Sequence, residues 1–310
     1  MYLGIDLGGI NVAAGLVSDT GKVVSHRSVP TPRTPNAVAD AIADHVKNLL
    51  SKTGGTVEYI GLGAPGTIDP DTGVVEYWSN LDFHHVPLAS MITERTGLPV
   101  RMENDAGCAA LGEYIAGAGK GSSSMVVITL GTGIGGGAVL DGRLYTGLNH
   151  AGLEVGHLVV EHKGRQCTCG RRGCFETYCS ATALIRETRK AMDSAPDSLL
   201  WTLAGSKEKI NGKLLFEAYG RGDAAATAAV EEFLEYLGDG VSSLVNIFQP
   251  EVFAIGGGLA GAGEAILDPV RRILNHEDYA RESSKRTKLV KAKLGNDAGI
   301  IGAAMLGRTE

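Results

Sequence analysis

The stretch Tyr2-Leu3-Gly4-Ile5-Asp6-Leu7-Gly8-Gly9-Ile10-Asn11-Val12-Ala13-Ala14-Gly15-Leu16-Val17 decides the fold, because its outline recurs at Ser124–Leu140. An apolar run, Tyr2 to Asp6, meets a glycine turn at Gly8-Gly9, and a second apolar run, Val12 to Val17, follows. Asp19-Thr20-Gly21 is a turn, and Lys22 to Val29 reads as a third strand. This is the opening of a β-meander. In the second copy Ser124 to Thr129 is a buried strand, Leu130-Gly131-Thr132-Gly133-Ile134-Gly135-Gly136-Gly137 is the turn region, and Ala138-Val139-Leu140 resumes. Asp141-Gly142 then turns the chain into Arg143-Leu144-Tyr145. A repeated unit of this size implies two similar α/β halves. Glycine turns present backbone N–H groups in concavities that bind anions. Two of them facing each other across a cleft would suit a nucleotide polyphosphate.

Outward from these copies the pattern switches to helical spacing. Thr34-Pro35 precedes a helix from Asn36 to Lys52 with Val38, Ile42, Val46, Leu49 and Leu50 on one face, stopped by Gly54-Gly55. Tyr59 to Gly63 is a strand ending at Ala64-Pro65-Gly66, and Pro99 to Met102 is another. Thr177 to Met192 reads as one helix, and Asp223 to Phe248 as a long helix ended by Pro250. Val252 to Ile255 is a short buried strand running into Gly256-Gly257-Gly258, and Ala298 to Leu306 is a last, small-residue helix.

Composition narrows the function. The 310 residues suit about two domains. Hydrophobic residues at 44% and charged residues at 21% are ordinary for a globular protein, and the excess lies in glycine, 44 residues gathered in short runs. The net charge of −6 and the lack of a long Lys/Arg run argue against nucleic acid as a partner; Lys285 to Lys288 is the densest basic stretch. No apolar run approaches a membrane span, and Met1 to Asp6 lacks the basic start and apolar core of a signal peptide, so the expected place is the cytoplasm with no membrane partner. Five cysteines in a reducing compartment do not make a disulfide framework.

Three of those cysteines cluster as Cys167-Thr-Cys169-Gly-Arg-Arg-Gly-Cys174, with His157 upstream. Three thiolates and an imidazole are a tetrahedral zinc set, and Gly170 and Gly173 let the loop fold back on itself. With four protein ligands the ion has no open position, so its role is to brace structure. Cys108 and Cys179 fit no metal spacing and read as small buried apolar residues. A second motif, Glu103-Asn104-Asp105-Ala106-Gly107-Cys108, joins a strand to a small-residue helix. Asp105 there is placed either as a general base or as an ordinary helix cap. A third is Asp6-Leu7-Gly8-Gly9-Ile10-Asn11, where the Asp before the turn could hold Mg2+ through water beside a phosphate.

Together, and in this order along nearly the whole chain, these motifs resemble the ROK family of repressors, uncharacterised open reading frames and sugar kinases. The resemblance implies an actin-like, ribonuclease-H-like ATPase fold of the α/β class with two α/β domains around a central cleft. The expected division is residues 1–116 with 297–310 as the smaller domain and 117–296 as the larger. It implies transfer of the γ-phosphate of Mg-ATP to a hexose, with Asp105 as the catalytic base. Gly66, Asn80, Asn104, Glu154, His157 and Glu176 resemble the family's sugar ligands; Glu154-Val-Gly-His157 matches its Glu-x-Gly-His motif. Asp6, Gly8, Gly9 and Asn11 form the first nucleotide loop, Gly131, Thr132 and Gly133 the second, and Gly256, Gly257 and Gly258 lie near the adenosine. His157 would give one ring nitrogen to zinc and the other to the sugar. The family usually has Thr where this chain has Ile10, which removes a hydroxyl from the first loop and leaves its backbone amides.

The expected activity is phosphorylation of the glucose 6-hydroxyl. N-acetylmannosamine, N-acetylglucosamine or fructose kinase activity is the alternative within the family. A sugar-responsive repressor is the alternative of another class, disfavoured because such proteins carry a helix-turn-helix ahead of this fold and the first strand is read at Tyr2. A homo-oligomer, dimer or tetramer, is a further expectation from the resemblance.

Overall fold

The computed structural model describes residues 1–53, 56–78 and 81–308. The expected helix stop at Gly54-Gly55 and the candidate ligand Asn80 lie outside them. The chain opens with β1 (Tyr2–Leu7), β2 (Asn11–Val17) and β3 (Val23–Pro30), then α1 (Pro35–Thr53), β4 (Ile60–Ala64) and the small strands β5 (Thr67–Asp69), β6 (Val74–Trp78) and β7 (Phe83–Val86). Next come α2 (Leu88–Thr96), β8 (Val100–Asn104), α3 (Asp105–Ala116), β9 (Met125–Leu130), β10 (Ile134–Leu140) and β11 (Arg143–Tyr145). Helices follow: α4 (Glu176–Cys179), α5 (Ala181–Asp193), α6 (Leu199–Ala204), α7 (Gly212–Gly220) and α8 (Ala224–Phe248). The chain closes with β12 (Val252–Gly256), α9 (Glu264–Glu277), β13 (Lys288–Lys291) and α10 (Asp297–Met305).

One five-stranded sheet has the order β3-β2-β1-β4-β8 and another the order β11-β10-β9-β12-β13. In each, the first three strands form a meander and the fourth adds beside the first. The register is antiparallel from Tyr2↔Val17 to Leu7↔Val12 and parallel from Leu3↔Ile60 to Asp6↔Gly63, with β12 and β13 also parallel. The repeat legible in the two glycine-turn segments is thus a repeat of sheet topology. A small antiparallel sheet, β5-β6-β7, hangs beside the first. Its buried Trp78 packs edge-on against Phe83, ring centres 5.4 Å apart.

The chain divides into two compact units, residues 1–127, 136–153 and 292–310 in one, and 128–135 with 154–291 in the other. In the first, Leu3, Ile5, Ile42, Leu49 and Leu62 are buried in one cluster under α1. A second cluster joins Val17, Leu111, Ile300 and Met305 around α10. This last helix is seated by missing side chains: a Cβ on Gly4 would lie 1.9 Å from the Ile300 carbonyl oxygen, and one on Gly61 1.8 Å from that of Ala303. Only glycine lets helix and sheet backbones come that close.

In the second unit α8 buries Val230, Phe233, Leu237 and Val241 along one face. Phe175, fully buried, fills the notch left by Gly240 of that helix, where a Cβ would meet the ring at 2.4 Å. Gln249, in the left-handed region at φ 42°, caps α8 ahead of Pro250. The single helix expected over 177–192 is two helices. Ser180 is extended (φ −78°, ψ 161°), and its hydroxyl accepts from the Ala183 amide, so it ends α4 and caps the start of α5.

Candidate active site and metal centre

In the first unit β1 delivers Asp6 to the sheet end and the chain turns at once. Gly8 N–H donates to the Asn11 carbonyl at 2.9 Å, closing the turn. Thr31, just past β3, ties it down: its hydroxyl donates to the Gly8 carbonyl at 2.6 Å and its amide to that of Ile10 at 2.8 Å. Ile10 itself is 81% exposed. The Asp6 carboxylate lies against the first turn of α10, where a Cβ on Gly299 would meet its Oδ2 at 2.7 Å. Burial, and then the neighbouring Asp105 charge, raises the Asp6 carboxyl to about 6.

Asp105 is the first residue of α3. Asn104, not Asp105, caps the helix: its Oδ1 accepts from the amides of Ala106 at 2.9 Å and Gly107 at 3.3 Å. The Asn104 Nδ2 donates to the Gly66 carbonyl at 3.2 Å. Gly66, at φ 88°, has no room for a side chain, since a Cβ would sit 2.1 Å from the Tyr77 carbonyl oxygen. Asp105 is therefore held between a fixed cap and its own helix, its Oδ1 accepting from Ala106 N–H at 2.8 Å. Burial raises its carboxyl above the usual range, and the Ala106 amide opposes that. A carboxylate raised toward neutrality is a stronger base than a solvated one.

In the second unit the loop Gly131–Gly133 closes on itself through Gly131 N–H to the Gly133 carbonyl at 3.0 Å. Helix α5 grips it from below: the Ala181 amide donates to the Gly131 carbonyl at 2.8 Å and the Thr182 hydroxyl to that of Thr132 at 2.8 Å. The Glu176 carboxylate reaches under the loop, its Oε2 accepting from Ile134 N–H at 2.9 Å. A Cβ on Gly133 would lie 2.1 Å from that oxygen. Gly257, at φ 81°, brings the end of β12 onto the Leu130 backbone.

Gly131, Thr132 and Gly258 line a cavity of about 650 Å³ with Asn211, Lys213 and Phe216 of the α7 end. Gly133, Gly256 and Gly257 are not among its lining residues. Asn211, Lys213 and Phe216 escaped the sequence reading because they lie in an ordinary amphipathic helix. Its only local mark is Asn211, which caps α7 by accepting from Leu214 N–H at 3.1 Å.

The metal motif converges. His157 ends a 3₁₀ turn, Val155–His157, that follows Glu154. The cysteine loop is pinned by Cys167 N–H to the Arg171 carbonyl at 2.9 Å. Gly173 (φ 79°) bends it where a Cβ would strike the Glu161 carbonyl oxygen at 1.8 Å. One ligand atom from each of His157, Cys167, Cys169 and Cys174 lies within 4.8 Å of the others. His157 Nδ1 is 3.7 Å from Cys167 Sγ, and Cys169 Sγ is 3.7 Å from Cys174 Sγ. A tetrahedron with Zn–S of ~2.3 Å and Zn–N of ~2.0 Å has edges of about 3.5–3.8 Å, so the donor set fits. Burial and the adjacent Cys167 and Cys169 sulfurs push the Cys174 thiol up to about 12. Among the described residues these four gather their donor atoms into a set that could hold a metal ion.

The family model described as ROK matches residues 2–310. The chain belongs to the ROK family. A glucokinase of Thermotoga maritima is 41% identical over 307 residues, covering 98% of this chain and 96% of its own. A glucokinase of Streptomyces coelicolor is 37% identical over 311 residues, covering 99% and 98%. Among solved ROK structures, the glucokinase of Streptomyces griseus in complex with glucose and AMPPNP superposes with a TM-score of 0.85 at 38% identity, covering 100% of this chain and 99% of its own. The two α/β units of this chain are those of an actin-like ATPase fold. Among the described residues no helix is long and apolar enough to cross a membrane.

Proposed function

We propose that this ROK protein is an ATP-dependent glucokinase, transferring the γ-phosphoryl group to the glucose 6-hydroxyl. The observation that carries the reading is the partly buried Asp105 carboxylate at the head of α3, in a chain that matches glucokinases end to end. A sugar hydroxyl is a poor nucleophile until its proton is removed. Asp105 takes that proton as the O6–Pγ bond forms and the bond from Pγ to the β–γ bridging oxygen breaks, leaving ADP. General-base help of this kind is worth ~10²–10⁴ in rate. The rest of the barrier falls to alignment and to neutralising the phosphate charge.

Gly66, Asn80, Asn104, Glu154, His157 and Glu176 are the proposed sugar ligands. Asp6, Gly8, Gly9 and Asn11, with Gly131, Thr132, Gly133 and Gly256 to Gly258, are the proposed nucleotide contacts. Asp6 is the residue to hold Mg2+ through water, and that ion supplies charge neutralisation at the phosphates. His157 Nδ1, facing Cys167, would join the three cysteines in holding a structural Zn2+. That leaves Nε2 free to meet the sugar and fixes the ring for it.

The test is ADP release across a panel of glucose, mannose, fructose and the two N-acetyl amino sugars. Glucose should be the best substrate; turnover confined to the acetylated sugars overturns the reading. Asp105→Asn should cut kcat by about 10²–10⁴ while glucose binding, measured by calorimetry, stays near normal. An active Asp105→Asn protein removes the base assignment.

A further inference from the structure

Glu103 immediately precedes Asn104 and Asp105, yet none of the roles above uses it. It is 6% exposed, an unusual depth for a carboxylate. Both oxygens are engaged. Oε1 accepts from the Asn104 amide at 2.7 Å, and Oε2 lies 3.3 Å from His150 Nδ1. Burial raises the Glu103 carboxyl, with the Asn104 amide and His150 opposing.

His150 belongs to the loop that leads from β11 to Glu154. That loop is folded on itself: Gly152 N–H donates to the Thr146 carbonyl at 2.9 Å, and Gly147 takes φ 75°. His150 also stands in the left-handed region, at φ 56°. Few residues with a side chain take that conformation, and histidine is among those that do, so His150 suits the bend of the loop while its ring meets Glu103. Leu148 at the loop tip is fully exposed, and the cavity beneath the loop, lined by Glu103, Gly107, Gly137 and His150, is only about 10 Å³. That is room for about one water, so within this cavity Glu103 and His150 have each other as partners and no space for a ligand between them.

We propose that Glu103 and His150 form a positioning pair. They tie the loop Thr146–Gly152 to the end of β8, setting the stance of Asn104 and Asp105 on one side and of the chain entering Glu154 on the other. The pair acts through its neighbours, since Glu103 fixes the Asn104 amide directly and His150 lies four residues ahead of Glu154. The proposal rests on the sugar-site reading above. Removal of the pair should therefore weaken sugar binding and spare the nucleotide.

Glu103→Ala would also strip the acceptor from the Asn104 amide, so the test is carried by His150. His150→Gly removes the ring and suits the backbone at φ 56°. His150→Asn suits it too and returns a polar δ atom at nearly the place of Nδ1. In the purified full-length protein, His150→Gly should raise the glucose KM about tenfold, the scale of one lost hydrogen bond to a charged group. The ATP KM should stay within about twofold, and amide exchange over residues 146–153 should quicken. His150→Asn should restore most of both. An unchanged glucose KM with unchanged exchange overturns the proposal, and so does an equal rise in both KM values. Should the wild-type protein turn over no sugar, the functional reading is at fault. The exchange data then judge the pair alone, and unaltered protection in His150→Gly overturns it.

Discussion

The two glycine loops occupy equivalent places in two sheets of the same topology, but they are built differently. The first, at Gly8–Ile10, is held by Thr31, a neutral residue beyond the third strand of its own meander. Its one large side chain, Ile10, faces solvent. The second, at Gly131–Gly133, is held by α5 and by the Glu176 carboxylate, two residues after Cys174. A loop fastened to its own sheet can be tuned alone. A loop fastened through a carboxylate next to a proposed metal ligand would share the fate of the metal motif.

The largest break in that comparison should come from removing the proposed zinc. Chelation, or Cys174→Ser, should cost several kcal/mol of stability, because small structural zinc sites bind with ~10–16 kcal/mol. Hydrogen exchange should rise over residues 154–176 and also at 131–134, while residues 6–11 stay protected. Equal exposure of both loops would erase the distinction.

Next in size is Gly133→Ala. Its Cβ would displace the Glu176 carboxylate and strand the Ile134 amide, a loss of about 1–3 kcal/mol with a raised ATP KM. The matching change Gly8→Ala, whose Cβ would sit 3.1 Å from the Asn11 carbonyl oxygen, should cost less than about 1 kcal/mol. Paired melting curves compare the two.

A smaller effect depends on pH. The Asp6 carboxyl is raised to about 6 in the folded protein against 3.8 for the free group, so the folded state holds its proton more tightly. That favours folding at pH below about 4 and is lost as pH rises through 6. Asp6→Asn should therefore raise Tm at pH 7.5 more than at pH 5, even as turnover falls at both. A gain that is the same at both pH values would remove burial as the cause.

Smallest is Ile10→Thr. The first loop is shaped by backbone contacts and Thr31, so restoring the family hydroxyl at this exposed position should change the ATP KM by about twofold or less, read from initial rates. A tenfold gain would show that the side chain at this position matters after all.

Local pattern alone carried the meanders, the glycine turns, the long helix ending before Pro250 and the gathering of His157, Cys167, Cys169 and Cys174. Period-2 apolar runs, turn glycines and ligand spacing are properties of neighbours in the chain. The break at Ser180 was missed because a serine inside a helical pattern becomes a cap only once the chain on either side has somewhere else to go. Lys213 and Phe216 beside Gly131, Glu176 beneath Ile134, and His150 against Glu103 are pairings across 42 to 85 residues. No local rule selects such partners. The sequence by itself determined the two matching meanders, α1, the long helix α8, the strand after it and the last helix. The tertiary structure decided that Thr31 would hold the first glycine loop and Glu176 the second, and that the Asn104 amide at the head of α3 would meet Glu103. The Glu176 contact needs the bare backbone of Gly133, as the seating of α10 needs Gly4 and Gly61, because a single Cβ at any of these would collide with what packs there.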